Sequence, residues 1–311
     1  MADRFVSNLE CFLMSVQTDN ETEDTTELAA DVAEVLEGSS TDIAIESSPV
    51  KIVSAVFDQE IAVPGKQDAN ATLIFPVRPW GTGITPDWVK CMQCADFTLT
   101  GVGGYHILTA SSVGGSSGTI WHYEGKTGTT NLTKLYNWKT DFKISGEAGK
   151  IVKVEFAGKG VHSSFGAGTM PTIVRNRTVV PAFLSATVSI NGSAYKVISF
   201  DISGNQAIEN CFDPTSATAS GQSVMTDREI KMNCKVYMEA RGTIDPIAAI
   251  KAQTIGVITL YWGTTSSCKL DATYSQIVDA KRSDQNGIKC WDLTLNLTRN
   301  NFIVSVAGGA T

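Results

Sequence analysis

The chain has 311 residues, 42% hydrophobic and 18% charged, enough to bury one large core or two smaller ones. Its net charge is −7, but residues 1–50 carry twelve acids and one base, −11, which leaves +4 for residues 51–311. That balance offers no basic stripe for tight DNA or RNA binding. No run of 18 apolar residues is present to cross a membrane as a helix.

In chain order, Leu9–Val16 reads as a first strand, and the short apolar patch around Phe12–Met14 is too brief for a signal peptide. "TTELAADVAEVLEG" reads as a helix: Thr25 or Thr26 can cap it, Leu28, Val32, Val35 and Leu36 share a face, and Gly38 ends it. A polar loop is expected up to Ser48. "VKIVSAVFDQEIAV" and "ANATLIFPV" read as strands joined by a "PGKQD" turn. "ITPDWVKCMQCADF" predicts a short amphipathic helix, with Thr85 as cap, Pro86 in the first turn, and Trp88, Cys91, Met92 and Ala95 as its buried stripe. A Gly/Ser-rich stretch over 101–117 reads as a loop; it lacks the Lys-Ser/Thr of a phosphate cradle.

The chain then repeats itself. Gly118–Gly125, "GTIWHYEG", has its counterpart in Gly256–Gly263, "GVITLYWG", with Tyr123 matching Tyr261. Each precedes a long hairpin: Thr133–Phe156 in one case, Lys269–Leu295 in the other. Each also follows a Pro-started helix, the second capped by Asp245 with Pro246 in the first position. Upstream of that helix, "FLSATVSING", "YKVISFDI" and "REIKMNCKVYMEA" supply strands. The order β-β-helix-β-β-β therefore occurs twice, as a duplicated domain-sized unit. The units are expected at 1–178, including the acidic N-terminal helix segment, and at 179–311. The segment 203–228, "SGNQAIENCFDPTSATASGQSVMTD", reads as a loop too long to be an idle hairpin tip.

Period-two alternation gives these strands one apolar and one wet face. Val152, Val154 and Phe156 oppose Lys153 and Glu155; Met232, Cys234 and Val236 oppose Lys231, Asn233 and Lys235; Trp291, Leu293 and Leu295 oppose Asp292 and Thr294.

Catalytic and metal motifs are not found. The three histidines, His106, His122 and His162, have no ligand-spaced partners, and His122 reads as structural. Cys91-Met-Gln-Cys94 has half-zinc spacing without a second pair. The seven cysteines, odd in number and widely spaced, suit a reducing compartment, mostly as buried inert thiols. Asn-x-Ser/Thr triplets, as at Asn70 and Asn191, read as chance in a Thr-rich chain.

With the doubling laid out, the chain resembles the major tail tube proteins of long-tailed (siphovirus-type) bacteriophages. The pieces that carry the resemblance come in order: an N-terminal strand leading to the acidic "TDNETED", the strand pair "SSPVKIVSAVFDQEIAVPGKQDANATLIFPV", the helix at Pro86–Phe97, and Tyr123–Gly160 with Glu124-Gly125 and the turn Ala148-Gly149-Lys150. The resemblance implies a mainly β fold with minor α content. It would consist of two tandem β-sandwich or half-barrel units, each with a short flanking helix, assembling into a ring with a continuous inner β-barrel. Single-copy members form hexameric rings, so a two-copy chain is expected to form trimers with pseudo-six-fold symmetry, stacked as the conduit for genome delivery.

That role is structural, not enzymatic, and asks for no cofactor or metal. The implied partners are ring neighbours and adjacent rings, the tape measure, tail terminator and distal tail proteins, and genome DNA passing non-specifically, with no membrane insertion. The implied location is the virion tail, assembled in the host cytoplasm. Candidates for the lumen face are Asp141, Lys143, Lys153, Glu155, Lys231, Asn233, Lys235, Glu239, Asp292, Thr294 and Asn296. The lysines among them require either that some strands face elsewhere or that they pair with acids across strands. Candidates for contacts between rings are Glu21, Glu23, Asp24, Tyr105, Asn210, Phe212 and Asp213. Alternatives are another virion β-protein (a decoration or tail-end ring component) and a carbohydrate-binding β-sandwich.

Overall fold

A computed structural model describes residues 10–17, 23–24, 32–49, 62–79, 86–102, 105–111, 115–126, 129–171, 179–216, 218–239, 245–263, 267–297 and 302–307. The fold is mainly β, and every ladder among the described residues is antiparallel. No helix among those residues is long and apolar enough to cross a membrane.

The first half contains β1 (Glu10–Val16), β2 (Val32–Ala33), β3 (Ser40–Pro49), β4 (Ala62–Pro76), α1 (Asp87–Cys94), β5 (Phe97–Val102), β6 (Tyr105–Ala110), β7 (Gly118–Lys126), β8 (Thr129–Glu147) and β9 (Lys153–Gly168). The second contains β10 (Thr187–Ile190), β11 (Ser193–Ala194), β12 (Val197–Ser203), β13 (Ala207–Phe212), β14 (Ser220–Asp227), β15 (Lys231–Tyr237), α2 (Pro246–Lys251), β16 (Ile255–Trp262), β17 (Cys268–Gln285), β18 (Ile288–Leu297) and β19 (Phe302–Ala307).

Strand order recurs. β3 pairs β4, then β9, β8, β7 and β1. β12 pairs β15, then β18, β17, β16 and β10. The registers recur too. Tyr123 faces Cys11 and Leu132, and Tyr261 faces Thr187 and Lys269. A bulge falls between Gly118 and Ile120 against β8, and between Gly256 and Ile258 against β17, at the same step.

The two hairpins stand where the alternation placed them. β8–β9 turns through Ala148-Gly149-Lys150, with Gly149 at φ +83°, and β17–β18 turns at Asn286-Gly287. Phe142, Ile144, Val154, Phe156, Phe200, Met232, Leu293 and Leu295 are all buried on one side of these strands. The core is shared by both halves: Phe97, Phe142 and Phe302 meet at ring-centroid distances of 5.2, 6.2 and 6.0 Å. α1 lies over it with Trp88, Val89, Cys91, Met92, Cys94 and Ala95 buried. α2 has its expected cap, the Asp245 side chain accepting from the Ala248 amide at 3.0 Å.

Several sequence expectations are corrected. The helix expected over 25–38 is not helical in its described part: Val32–Ala33 pairs with Phe12 and Leu13, while 25–31 lie outside the described residues. Ala33 is buried and Val35 packs against the core, although Val32–Ala33 is a strand beside β1. The polar loop before Ser48 is β3, and the "PGKQD" turn runs straight through β4; residues 50–61 lie outside the described residues. α1 starts just after Pro86, which sits at the cap without a side-chain bond, and Thr85 lies outside the described residues. The loop expected over 101–117 contains the end of β5 and all of β6, which pairs with β19.

The loop expected over 203–228 is the β13–β14 hairpin. It continues the β12–β15 pair past Gly204, where the chain bends onto the first half. A side chain at Gly204 would meet Asp141 Oδ1 at 2.4 Å and the Phe142 ring at 2.7 Å, so that bend needs bare backbone.

Candidate assembly interface

The wet faces of β9, β8, β12, β15, β18 and β17 join into one groove of about 920 Å³. Three rows of directly opposed residues cross this face, the second and third of them lining the groove. The first is Glu155, Lys143, Ser203, Lys231, Asn296 and Gln276; the second is Lys153, Ser145, Asp201, Asn233, Thr294 and Asp279; the third is Glu147, Ser199, Lys235, Asp292 and Lys281. The rows hold five lysines and five carboxylates, so the face is neutral overall.

Cross-strand pairing is observed for Lys143 and Lys235, whereas Lys281 pairs with Asp279 on its own strand and Lys231 with the nearby Glu229. Lys143 Nζ lies 3.0 Å from Asp201, and Lys235 Nζ 3.7 Å from Asp292. Thr294 Oγ1 donates to Asn233 Oδ1 at 3.0 Å. The Asp201 carboxylate holds the Lys143 ammonium above its ordinary value. Asp141 sits at the margin, half-buried, with burial raising its carboxyl. Glu239 stands away from the rows, 4.0 Å from Lys196.

The residues expected to join rings divide differently. Glu21 lies outside the described residues. Glu23 is engaged within the chain by Lys134 at 2.6 Å and Ser163 at 2.8 Å, and Asp24 accepts from Ser15 at 2.7 Å. Tyr105 lies under the Lys269 ammonium at 4.2 Å. Asn210 is a correction. It is buried, its amide donating to Asp68 at 2.9 Å and to the Gly160 carbonyl at 3.1 Å, and it fastens the β13–β14 hairpin to β4 and β9. Phe212 and Asp213 remain at the exposed tip of that hairpin, Phe212 76% exposed.

The two halves meet in a β-ladder that sequence reasoning did not locate. β12 runs antiparallel to the end of β8, from Ser199 opposite Glu147 to Ser203 opposite Lys143. The equivalent strands have no such partner among the described residues. β3 pairs only with β4, and the Asp279–Gln285 part of β17 only with β18. Both edges carry exposed apolar side chains, Ile45 at 56% and Val278 at 39%.

Register fixes how these edges correspond to the internal ladder. Lys143 faces Glu155, which faces Ile74; Lys281 faces Asp292, which faces Lys235. On the far side Asp42 faces Asn70 as Ser203 faces Lys231. Lys281 is therefore the equivalent of Lys143, and Asp42 of Ser203.

No family model matches this chain, and no curated protein matches it.

Proposed function

We propose that this protein is a structural tube subunit of the kind found in siphovirus-type tails, two tandem units (1–178 and 179–311) in one chain, three chains closing a ring. The observation that carries the reading is the β12–β8 ladder together with the open edges of β3 and β17. The ladder joins the second unit to the first inside one molecule. The same join, repeated between copies, sets β3 of one chain against the Val278–Ser283 edge of the next. Continuing the internal register puts Asp42 opposite Lys281 and Ile45 opposite Val278, an opposite-charge pair and an apolar pair. Three such seams between copies and three within them close a barrel and leave no free edge.

The groove becomes the wall of the lumen. Phosphate retention needs an excess of Lys and Arg facing the backbone. The five lysines of the rows are balanced by five acids, which suits a surface that duplex DNA passes without being held. The function is mechanical: a closed, neutral, wet-lined channel.

Negative-stain microscopy of the purified full-length chain tests this. Rings or tubes with three-fold, near-six-fold top views are expected, and a monomer at high concentration refutes the reading. The register has its own test: Asp42→Cys with Lys281→Cys, in a Cys211→Ser background, should give intermolecular disulfides, since opposed strand residues lie within disulfide reach.

A further inference from the structure

Glu10 of β1 lies directly opposite Glu124 of β7, and His122 lies opposite Phe12, two residues along the same face. One ligand atom from each of Glu10, His122 and Glu124 falls within 4.8 Å of the others. Two opposed carboxylates repel one another, and burial together with the Glu124 charge raises the Glu10 carboxyl. Three residues at two neighbouring rungs of a ladder are a rigid platform.

His122 supplies the independent observation. It is 4% exposed, and its Nε2 is buried without a hydrogen-bond partner. That nitrogen stands 3.9 Å from Glu10 Oε2, aimed at the carboxylates but beyond hydrogen-bond range. Nδ1 is engaged by Thr41 Oγ1 at 2.7 Å. In the tautomer whose Nδ1 donates to Thr41, the Nε2 lone pair faces the two carboxylates, the arrangement by which metal-binding histidines are oriented. The Phe12 ring stacks on the imidazole at 4.1 Å and 7°, holding its plane.

We propose that Glu10, His122 and Glu124 bind a divalent transition-metal ion of the zinc type, with water completing its shell. Imidazole with carboxylate is a borderline donor set, which favours such an ion over calcium or magnesium. Ligand atoms around tetrahedral zinc stand about 3.4 Å apart, from bonds of about 2.0–2.2 Å. The present spread closes to that by rotation of the two glutamate side chains. The bound ion cancels the Glu10–Glu124 repulsion and clamps the N-terminal strand onto β7. Through Thr41 it also reaches β3.

The test uses the full-length Cys211→Ser chain, stripped with EDTA and titrated with Co²⁺ and then Zn²⁺. One equivalent of saturable binding is expected, with visible d–d bands of low-coordinate cobalt and a rise in melting temperature with zinc. Glu10→Gln and Glu124→Gln, at partly exposed positions that should not affect folding, should each weaken binding at least tenfold and abolish the thermal shift; His122→Gln should do the same. The proposal is overturned by absence of one-equivalent binding, by unchanged affinity in both glutamine variants, or by thiolate-to-cobalt charge transfer, which would place the ion on cysteine. None of these outcomes depends on whether rings form.

Discussion

Replacing Ile45 by serine probes the seam between copies directly. Ile45 is 56% exposed in the single chain, so the change should leave its fold alone. Full burial of an isoleucine contributes roughly 1.5–3 kcal/mol, so covering the exposed half at a seam contributes about 1 kcal/mol. The proposed ring would have three seams between copies, so the variant would lose about 3 kcal/mol per ring, roughly a hundredfold in the trimer formation constant. Because three monomers combine, the concentration at half assembly should rise about tenfold, the square root of that factor. Adding Val278→Ser, a residue 39% exposed, should raise it further. Sedimentation velocity across a dilution series reads the midpoint, and thermal melting of the dilute protein reads the fold. Assembly at the wild-type concentration would sink the reasoning, since the edges would then not be the seam. A large fall in melting temperature would also sink it, because Ile45 would then be part of the internal packing.

Charge tests the same register: Asp42→Lys should block assembly by facing Lys281, and adding Lys281→Glu should restore it, read by the same sedimentation series. Asn210→Ala should loosen the β13–β14 hairpin at a cost of about 1–3 kcal/mol, since Asp68 loses one of its donors and the Gly160 carbonyl loses the Asn210 amide; a fluorescent label on exposed Cys211 should gain mobility. Acid should do the same. Burial pushes the Asp68 carboxyl up, but hydrogen bonds from Asn210, Lys66 and Ser220 and the Lys66 charge outweigh that and leave it below its ordinary 3.8. Its contribution is therefore complete above that value and lost as pH falls through the lowered one; label mobility unchanged down to pH 2 would count against it. Phe142→Ala should cost about 3–5 kcal/mol in chemical denaturation. The loss should appear as one transition, because Phe142 packs on Phe97 of the first half and Phe302 of the last strand.

What the sequence disclosed was whatever repeats within one or two strands. Period two placed Val154, Phe156, Met232, Leu293 and Leu295 inside and their neighbours in the groove. Asn286-Gly287 and Ala148-Gly149-Lys150 marked the hairpin turns, and Asp245-Pro246 marked α2. What it concealed was decided by distant partners. Val32 and Leu36 have helical spacing, yet the unpaired edge of β1 takes Val32–Ala33 as a strand. The Gly- and Ser-rich stretches at 101–117 and 203–228 have weak β propensity, and become strands only because β19 and the surface of β4 and β9 receive them. Glu10 and Glu124 are far apart along the chain, so no spacing rule could set them on opposite rungs beside His122. Which charges oppose which across that face was equally invisible, because it depends on register across six strands.

Open edges invite any extended partner, so their side chains must also choose among copies. β3 carries Asp42 and Glu46 and no base within Ser40–Pro49, so two β3 strands brought together would set acids against acids. The β17 edge carries Lys281 and Arg282 beside Asp279 and Asp284, so it has no excess of acids to repel β3. Self-pairing of β3 is thereby disfavoured, and the proposed seam sets its Asp42 against Lys281. A two-fold dimer needs one patch to meet itself, whereas unlike patches generate rings when the rotation closes. In the proposed assembly the internal β12–β8 ladder sets that rotation, since the seam would repeat the step taken inside the chain. Two units on one polypeptide would then advance two such steps, and the proposed ring would close when the third chain meets the first.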